Sequence, residues 1–279
     1  MKFEKWQALG NDYLIFERDE LPWELTPKRV RRICSRHFGV GSDGILLLSR
    51  ASDPACVADL RIFNPDGSEA ELSGNGARQA ALYLRRAGWT SHERFSILTK
   101  AGVVRPWITG PERATLEIGR ASLSSDDFPS GGRDGSGELT AGGRSWRFQH
   151  VSIGNPQCVI DVGAELEQLD VARIGFEVER SELFPNRTNV SFVDIDGSRV
   201  RARIFERGVG ETLSSGTGAS GAAVVAQLRG AASPITVVLD GGELTVEVSA
   251  DLDVRLSGPA SPVYAGELSP ELLQTLEGT

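Results

Sequence analysis

The sequence predicts an α/β protein of the α+β kind, made of two pseudo-symmetric domains, and three observations carry that expectation. Its 279 residues are about twice the roughly 150 typical of one domain. Short runs of β-branched and aromatic residues, bounded by turn residues, alternate with about four helical stretches. One segment also returns half a chain later.

The strands read as Tyr13 to Glu17, Val57 to Phe63, Ala114 to Ile118, Val190 to Ile195, Val200 to Phe205, Ile235 to Leu239 and Leu244 to Val248. Asp196-Gly197 and Asp240-Gly241 each join two runs as the turn of a tight hairpin, which favours antiparallel pairing. A first helix is expected from Thr26-Pro27 to about His37. A last one is announced by Ser269-Pro270-Glu271, where serine caps and proline takes the first turn. Ser122 to Gly143, dense in serine, aspartate and glycine, reads as a loop, an exposed hairpin excursion in preference to an interdomain hinge.

Composition narrows the function. Hydrophobic residues are 40% and charged residues 24%, a balance that suits neither a disordered chain nor a membrane protein. The net charge of -8 argues against a broad surface for nucleic acid or anionic membrane and favours a small polar substrate. Cys34, Cys56 and Cys158 are too scattered for a disulfide framework or a zinc cluster. Met1 to Phe16 alternates charged with apolar residues and reads as no signal peptide, and runs such as Ile45 to Leu48 fall far short of a membrane span. The cytoplasm is the expected compartment.

The two remaining helices start in the repeat. Leu72-Ser73-Gly74-Asn75-Gly76-Ala77-Arg78-Gln79-Ala80-Ala81 is matched by Ser214-Ser215-Gly216-Thr217-Gly218-Ala219-Ser220-Gly221-Ala222-Ala223, at an offset of 215 minus 73, or 142 residues. Each copy is a Ser-Gly-x-Gly turn feeding an alanine-rich helix. Each turn aims backbone N–H groups and the positive end of a helix dipole at whatever lies before it, which suits a carboxylate. Glycines that merely allow close helix packing would explain either loop alone; the duplication favours a shared ligand. Asn11, Asn155 and Asn189 sit in loops beside strands, as turn formers or as the lining of a pocket for ammonium and carboxylate groups. Arg207 is a candidate bidentate partner for a carboxylate.

Leu9-Gly10-Asn11-Asp12, His37 to Gly44, Asn64 to Gly76, Gly154-Asn155-Pro156, Phe184 to Asn189 and Glu206 to Gly218, in that order, resemble the diaminopimelate epimerase family nearly end to end. The resemblance implies two domains, each a mostly antiparallel or mixed sheet curled around a central helix, with the active site in the cleft between them. Residues 1–118 with 263–279 would form the N-terminal half, and 119–262 the C-terminal half. It further implies interconversion of LL- and meso-2,6-diaminopimelate in lysine and peptidoglycan biosynthesis, by two bases acting on opposite faces of the α-carbon, without pyridoxal and without metal. A homodimer is implied as well. Carried over by motif, Asn11, Asn64, Asn155, Asn189, Glu206 and Arg207 are substrate-binding positions, with Gly74, Asn75, Gly216 and Thr217 supplying loop contacts. Ser73 and Ser215 fall on the two proton-transfer positions, where the family has cysteine.

That departure is chemically serious. A free thiol has a pKa of about 8.5 and an unactivated hydroxyl lies closer to water at about 15.7. Of His37, His92 and His150, none lies in either loop, and the sequence alone offers no activator for either serine. Gly44 and Gln157 depart from the family pattern too, Gln157 standing where histidine is usual. The serines are therefore engineered replacements, natural residues with slower or altered chemistry, or marks of an amino-acid-binding relative without catalysis. Two rivals fit less well. Gly216-Thr217-Gly218-Ala219-Ser220-Gly221 satisfies a dinucleotide-binding G-x-G-x-x-G, but no strand directly precedes it. A serine hydrolase would need G-x-S-x-G around its nucleophile, which neither loop has.

Overall fold

The computed structural model describes residues 1–278, which divide into two units, Met1–Leu116 with the chain from Gly258 onward, and Glu117–Ser257. Each unit uses one construction twice: a strand, a crossover carrying a helix, and a parallel strand. In the first, Asn11–Glu17 pairs with Ile45–Arg50 across α1 (Pro27–Cys34), and Ala58–Phe63 pairs with Ile97–Thr99 across α2 (Gly74–Arg86). In the second, Pro156–Asp161 pairs with Asn189–Asp196 across α3 (Val171–Glu179), and Arg199–Glu206 pairs with Ile235–Leu239 across α4 (Gly216–Leu228). Tight turns cannot close parallel pairs, so each needs its crossover. The expected Asp-Gly hairpins are present: Asn189–Asp196 with Arg199–Glu206, and Ile235–Leu239 with Gly242–Val248. The sheets are consequently mixed rather than purely antiparallel. Ser261–Glu267 lies antiparallel to Lys2–Ala8, and α5 (Pro270–Glu277) follows, capped by Ser269 as the sequence predicts.

The two repeat helices are central. α2 is buried at every residue from Asn75 to Leu84, and α4 from Gly218 to Ala226, the mark of a helix enclosed on all sides rather than laid on a surface. Small residues permit this. Six strands, from Arg144–Ser152 to Gly242–Val248, touch α4, so its sheet curls around it. In the first unit Ile15, Leu46 and Leu48 face Ala80, Ala81 and Leu84 of α2. Leu14, Phe16, Ile45 and Leu47 face the other way, onto Val30, Ile33 and Leu276 of α1 and α5. Both faces of this sheet are covered, which is why Ile45 to Leu48 is apolar without alternation.

Three local expectations change. α1 stops at Cys34 instead of near His37, because residues beyond Ile33 and Cys34 have no apolar face to bury and the chain turns back, Gly39 N–H donating to the Ser35 carbonyl. The glycine-rich stretch is not loop to its end: Ser136–Ala141 is a strand that buries Leu139 and Ala141, and Phe128 packs on Phe148 and Phe184. α3 was unanticipated, although Asp170 caps it and Val171, Ile174 and Val178 keep a helical spacing. Among the described residues no helix is long and apolar enough to cross a membrane.

Candidate active site

α2 and α4 begin alike. Each follows an extended serine, Ser73 at φ −134°, ψ 120° and Ser215 at φ −137°, ψ 120°. Each serine caps its helix by accepting a hydrogen bond from the N–H three residues on, Gly76 at 3.1 Å and Gly218 at 3.3 Å. A Cβ at Gly76 would lie 3.0 Å from Leu46 Cδ2, and one at Gly218 would lie 2.7 Å from Ile204 Cδ1, so the second glycine of each loop lets helix press on sheet. The first glycine does the opposite. A Cβ at Gly74 would meet nothing within 4 Å, and at Gly216 only Leu256 Cδ1 at 3.9 Å. Open space therefore lies before the first-turn N–H groups, where the positive helix end can receive an anion.

In the first unit the Tyr13 hydroxyl donates to Ser73 Oγ at 3.3 Å. Asn11 is fixed on two sides: its Nδ2 donates to Asp43 Oδ2 at 3.2 Å, and its carbonyl accepts from Gln79 Nε2 at 3.0 Å. Asp43 also receives the Asp12 N–H at 3.1 Å. Asp12 pairs with Lys5, and burial raises its carboxyl against the pull of that lysine. Asn75 points into the protein, where its Oδ1 accepts from Arg78 at 2.7 Å. Arg78 is fully buried, and its guanidinium also donates to the Gly74 carbonyl at 3.3 Å. Burial pushes its pKa down to about 10, Arg113 adding to the effect. Among the described residues no carboxylate pairs with it, so its charge adds to the positive end of α2. Asn64 stands apart, its amide donating to Ser68 within its own turn at 3.0 Å.

In the second unit Ser215 Oγ donates to Glu206 Oε2 at 3.2 Å, and Thr212 Oγ1 donates to Oε1 at 2.8 Å. Burial pushes the Glu206 carboxyl above its usual range, and these two hydrogen bonds hold it back in part. Asn155 Nδ2 donates to Thr217 Oγ1 at 3.2 Å and its Oδ1 accepts from Gln157 at 2.6 Å. Asn189 Nδ2 donates to the Pro156 carbonyl at 3.1 Å, and its Oδ1 receives the Arg207 N–H at 2.9 Å. Arg207 is exposed and donates to the Asn186 carbonyl. Behind this loop Glu179, 1% exposed, receives the Gly208 N–H at 2.7 Å and pairs with Arg180 and Arg187.

The absence of an activator, inferred from the histidines, is corrected for Ser215: the half-buried Glu206 carboxylate touches it. His150 has another place, hydrogen-bonded to Ser125 Oγ and packed on Phe128 and Phe184, and burial lowers its pKa. Tyr13, Asp43, Arg78, Gln79, Glu179 and Thr212 escaped the sequence reading. Tyr13 alone had a local signal, since strand alternation puts it on the face of Asn11. Leu9 at φ 54° and Arg187 at φ 61° each stand two residues before a candidate binding asparagine, Asn11 or Asn189. Holding such a backbone costs about 1–3 kcal/mol and concentrates at functional loops.

Among solved structures the chain is similar to a probable proline racemase from Agrobacterium radiobacter, with TM-score 0.68 and 16% identity over 96% of this chain and 93% of that one. It is similar also to a hydroxyproline epimerase from Agrobacterium vitis, with TM-score 0.66 and 16% identity over 95% and 91%. The fold is thus one that this chain shares with these two proteins. Sequence narrows it: the model of the family described as diaminopimelate epimerase matches residues 3–124 and 149–263. Curated relatives include diaminopimelate epimerase 2 of Nostoc sp., 41% identical over 98% of this chain and 97% of its own length. Diaminopimelate epimerase of Aromatoleum aromaticum is 37% identical over 96% and 98%. The chain belongs to the diaminopimelate epimerase family, a family of isomerases.

Proposed function

We propose that the chain interconverts LL- and meso-2,6-diaminopimelate, serving lysine and peptidoglycan biosynthesis in the cytoplasm, by two-base proton transfer at the α-carbon without pyridoxal. The observation that carries this is the loop built twice, each copy offering a helix N-terminus to a carboxylate and a serine beside it. Inversion needs one group to take a proton from one face of the α-carbon and another to give one to the opposite face. We assign those duties to Ser215 and Ser73. As charge develops on the substrate, the N–H groups around Gly74, Asn75, Gly216 and Thr217 and the buried Arg78 stabilise the α-carboxylate. Asn11, Asn64, Asn155, Asn189 and Arg207 are the binding side chains of this reading. Glu206 relieves the weakness of serine as a base by accepting the Ser215 proton as Oγ takes the one from carbon.

The test is incubation with either stereoisomer in deuterated water. Deuterium at the α-carbon is the expected result, with faster labelling after Ser73→Cys with Ser215→Cys, because a thiol ionises far more readily than a hydroxyl. A second reading, an amino-acid-binding relative without catalysis, draws on the fact that both hydroxyls already serve as helix caps. It predicts tight binding of diaminopimelate and no label. If the double cysteine variant also leaves it unlabelled, the substrate assignment is wrong. The homodimer of this reading is supported by Val263 and Tyr264, exposed on the sheet-edge strand Ser261–Glu267, and light scattering tests it.

A further inference from the structure

The two halves are not armed alike. At the offset of the repeat, Asn64 is the counterpart of Glu206: Asn64 directly follows the strand Ala58–Phe63, and Glu206 is the last residue of the strand Arg199–Glu206. The carboxylate of the second half reaches its serine; the Asn64 amide turns to Ser68. In the first half the partner of the serine comes from another strand, as the Tyr13 hydroxyl. Room for that ring is made by Gly44. A Cβ there would lie 2.6 Å from Tyr13 Cε1 and 2.4 Å from the Phe63 carbonyl. At 3.3 Å the hydroxyl pair is looser than usual, as catalytic hydrogen bonds often are before substrate tightens them.

We infer that Tyr13 is a positioning residue of the epimerisation, the proton reservoir of Ser73, so that the first loop rests as proton donor and the second as proton acceptor. This rests on the function proposed above. A phenol ionises at about 10 and a simple hydroxyl at about 15.7, so tyrosine is the better store of a transferable proton. The step balances in four moves. Ser215 Oγ takes the α-proton as its own proton passes to Glu206, and the C–H electron pair delocalises into the substrate carboxylate. On the opposite face Ser73 gives its proton to the α-carbon and is reprotonated by Tyr13, leaving a tyrosinate and a neutral Glu206. Turnover in the reverse direction, or exchange with solvent, restores both.

Such an asymmetric pair predicts that the two loops fail differently. In deuterated water Tyr13→Phe is expected to lower inversion at least about 10-fold, yet to keep α-hydrogen exchange without inversion on the stereoisomer whose α-hydrogen faces Ser215. Glu206→Gln is expected to lose that exchange as well. Tyr13→Phe inverting at the rate of the unaltered protein, or losing exchange and inversion together, overturns the inference.

If the unaltered protein labels neither stereoisomer, the proposed function fails, and Tyr13 is judged by a measurement that needs no turnover. The thiol introduced by Ser73→Cys is alkylated across a pH series, with and without Tyr13→Phe, and the modified peptide identified by mass. Cys34 and Cys158 are buried and Cys56 lies elsewhere. A hydrogen bond to the thiolate favours it, so the thiol is expected to titrate about one unit lower with Tyr13 present. Lys5, Asp12, Asp43 and Arg78, the charged groups around this loop, are common to both proteins and cancel. Identical titrations overturn the inference.

Discussion

Replacing each serine of the repeated loop by alanine separates capping from chemistry. Ser73→Ala removes a helix cap, which costs about 1 kcal/mol, and with it only the long, neutral 3.3 Å hydrogen bond from the buried Tyr13 hydroxyl. Ser215→Ala removes the same cap and also the hydrogen bond at 3.2 Å to Glu206 Oε2; Oε1 keeps its Thr212 donor, but the bare Oε2 of this half-buried carboxylate adds a further cost of about 1–3 kcal/mol. The expected losses are about 1 kcal/mol in the first loop and about 2–4 kcal/mol in the second. Hydrogen exchange by mass spectrometry, read on peptides covering α2 and α4, reports each locally. At about tenfold per 1.4 kcal/mol, α4 should open roughly 30- to 700-fold more often in Ser215→Ala, and α2 only about fivefold more often in Ser73→Ala. The gap should narrow in acid, where a neutral Glu206 tolerates a missing donor better. Equal losses in the two loops at neutral pH would refute the reasoning, because the Glu206 contact would then be worth nothing.

Other perturbations probe the same geometry. Burial raises the Glu206 pKa, so the folded protein holds its proton to higher pH than the unfolded chain; the group is harmless below the unfolded value and costs stability as pH rises through the folded one. Glu206→Gln should therefore unfold at a higher urea concentration at pH 7 while losing exchange activity, and equal stability on both sides of that window would contradict it. Arg78→Met exchanges a fully buried cation without a carboxylate partner for an apolar side chain, which should change stability little but raise the KM for diaminopimelate about 10-fold or more, with thermal unfolding and initial rates as the two readouts. Glu179→Ala leaves the Gly208 N–H, Arg180 and Arg187 without their acceptor and should cost about 2–3 kcal/mol, visible as faster hydrogen exchange across residues 206–218.

Legibility from the sequence followed the range of the interactions. Asp196-Gly197 and Asp240-Gly241, the caps of α1 and α5 and the starts of α2 and α4 depend on neighbours along the chain, and all were readable. α3 carried a cap and a spacing as clear as theirs but was masked by the surrounding loop-like composition. Parallel pairing was hidden because Asp-Gly turns announce themselves, whereas a crossover leaves no mark at the strands it joins. Candidate residues were found where they lay in the motifs. Their partners were not, since Tyr13 is 60 residues from Ser73 and Gln79 is 68 from Asn11.

By itself the sequence determined that the protein is two versions of one design. The repeat, its serines, its glycines and its alanines state a capped helix start and a helix thin enough to be enclosed, and these are properties of consecutive residues. Tertiary structure alone decided what each serine touches. Glu206 and Tyr13 occupy unrelated places in the repeat, yet folding brings one to Ser215 and the other to Ser73. A hydroxyl's acidity is set by the atoms within a few ångströms of it: for Ser73 they come from a strand 60 residues back along the chain, and for Ser215 from a carboxylate nine residues back that the return of Gly210–Thr212 along its strand brings round.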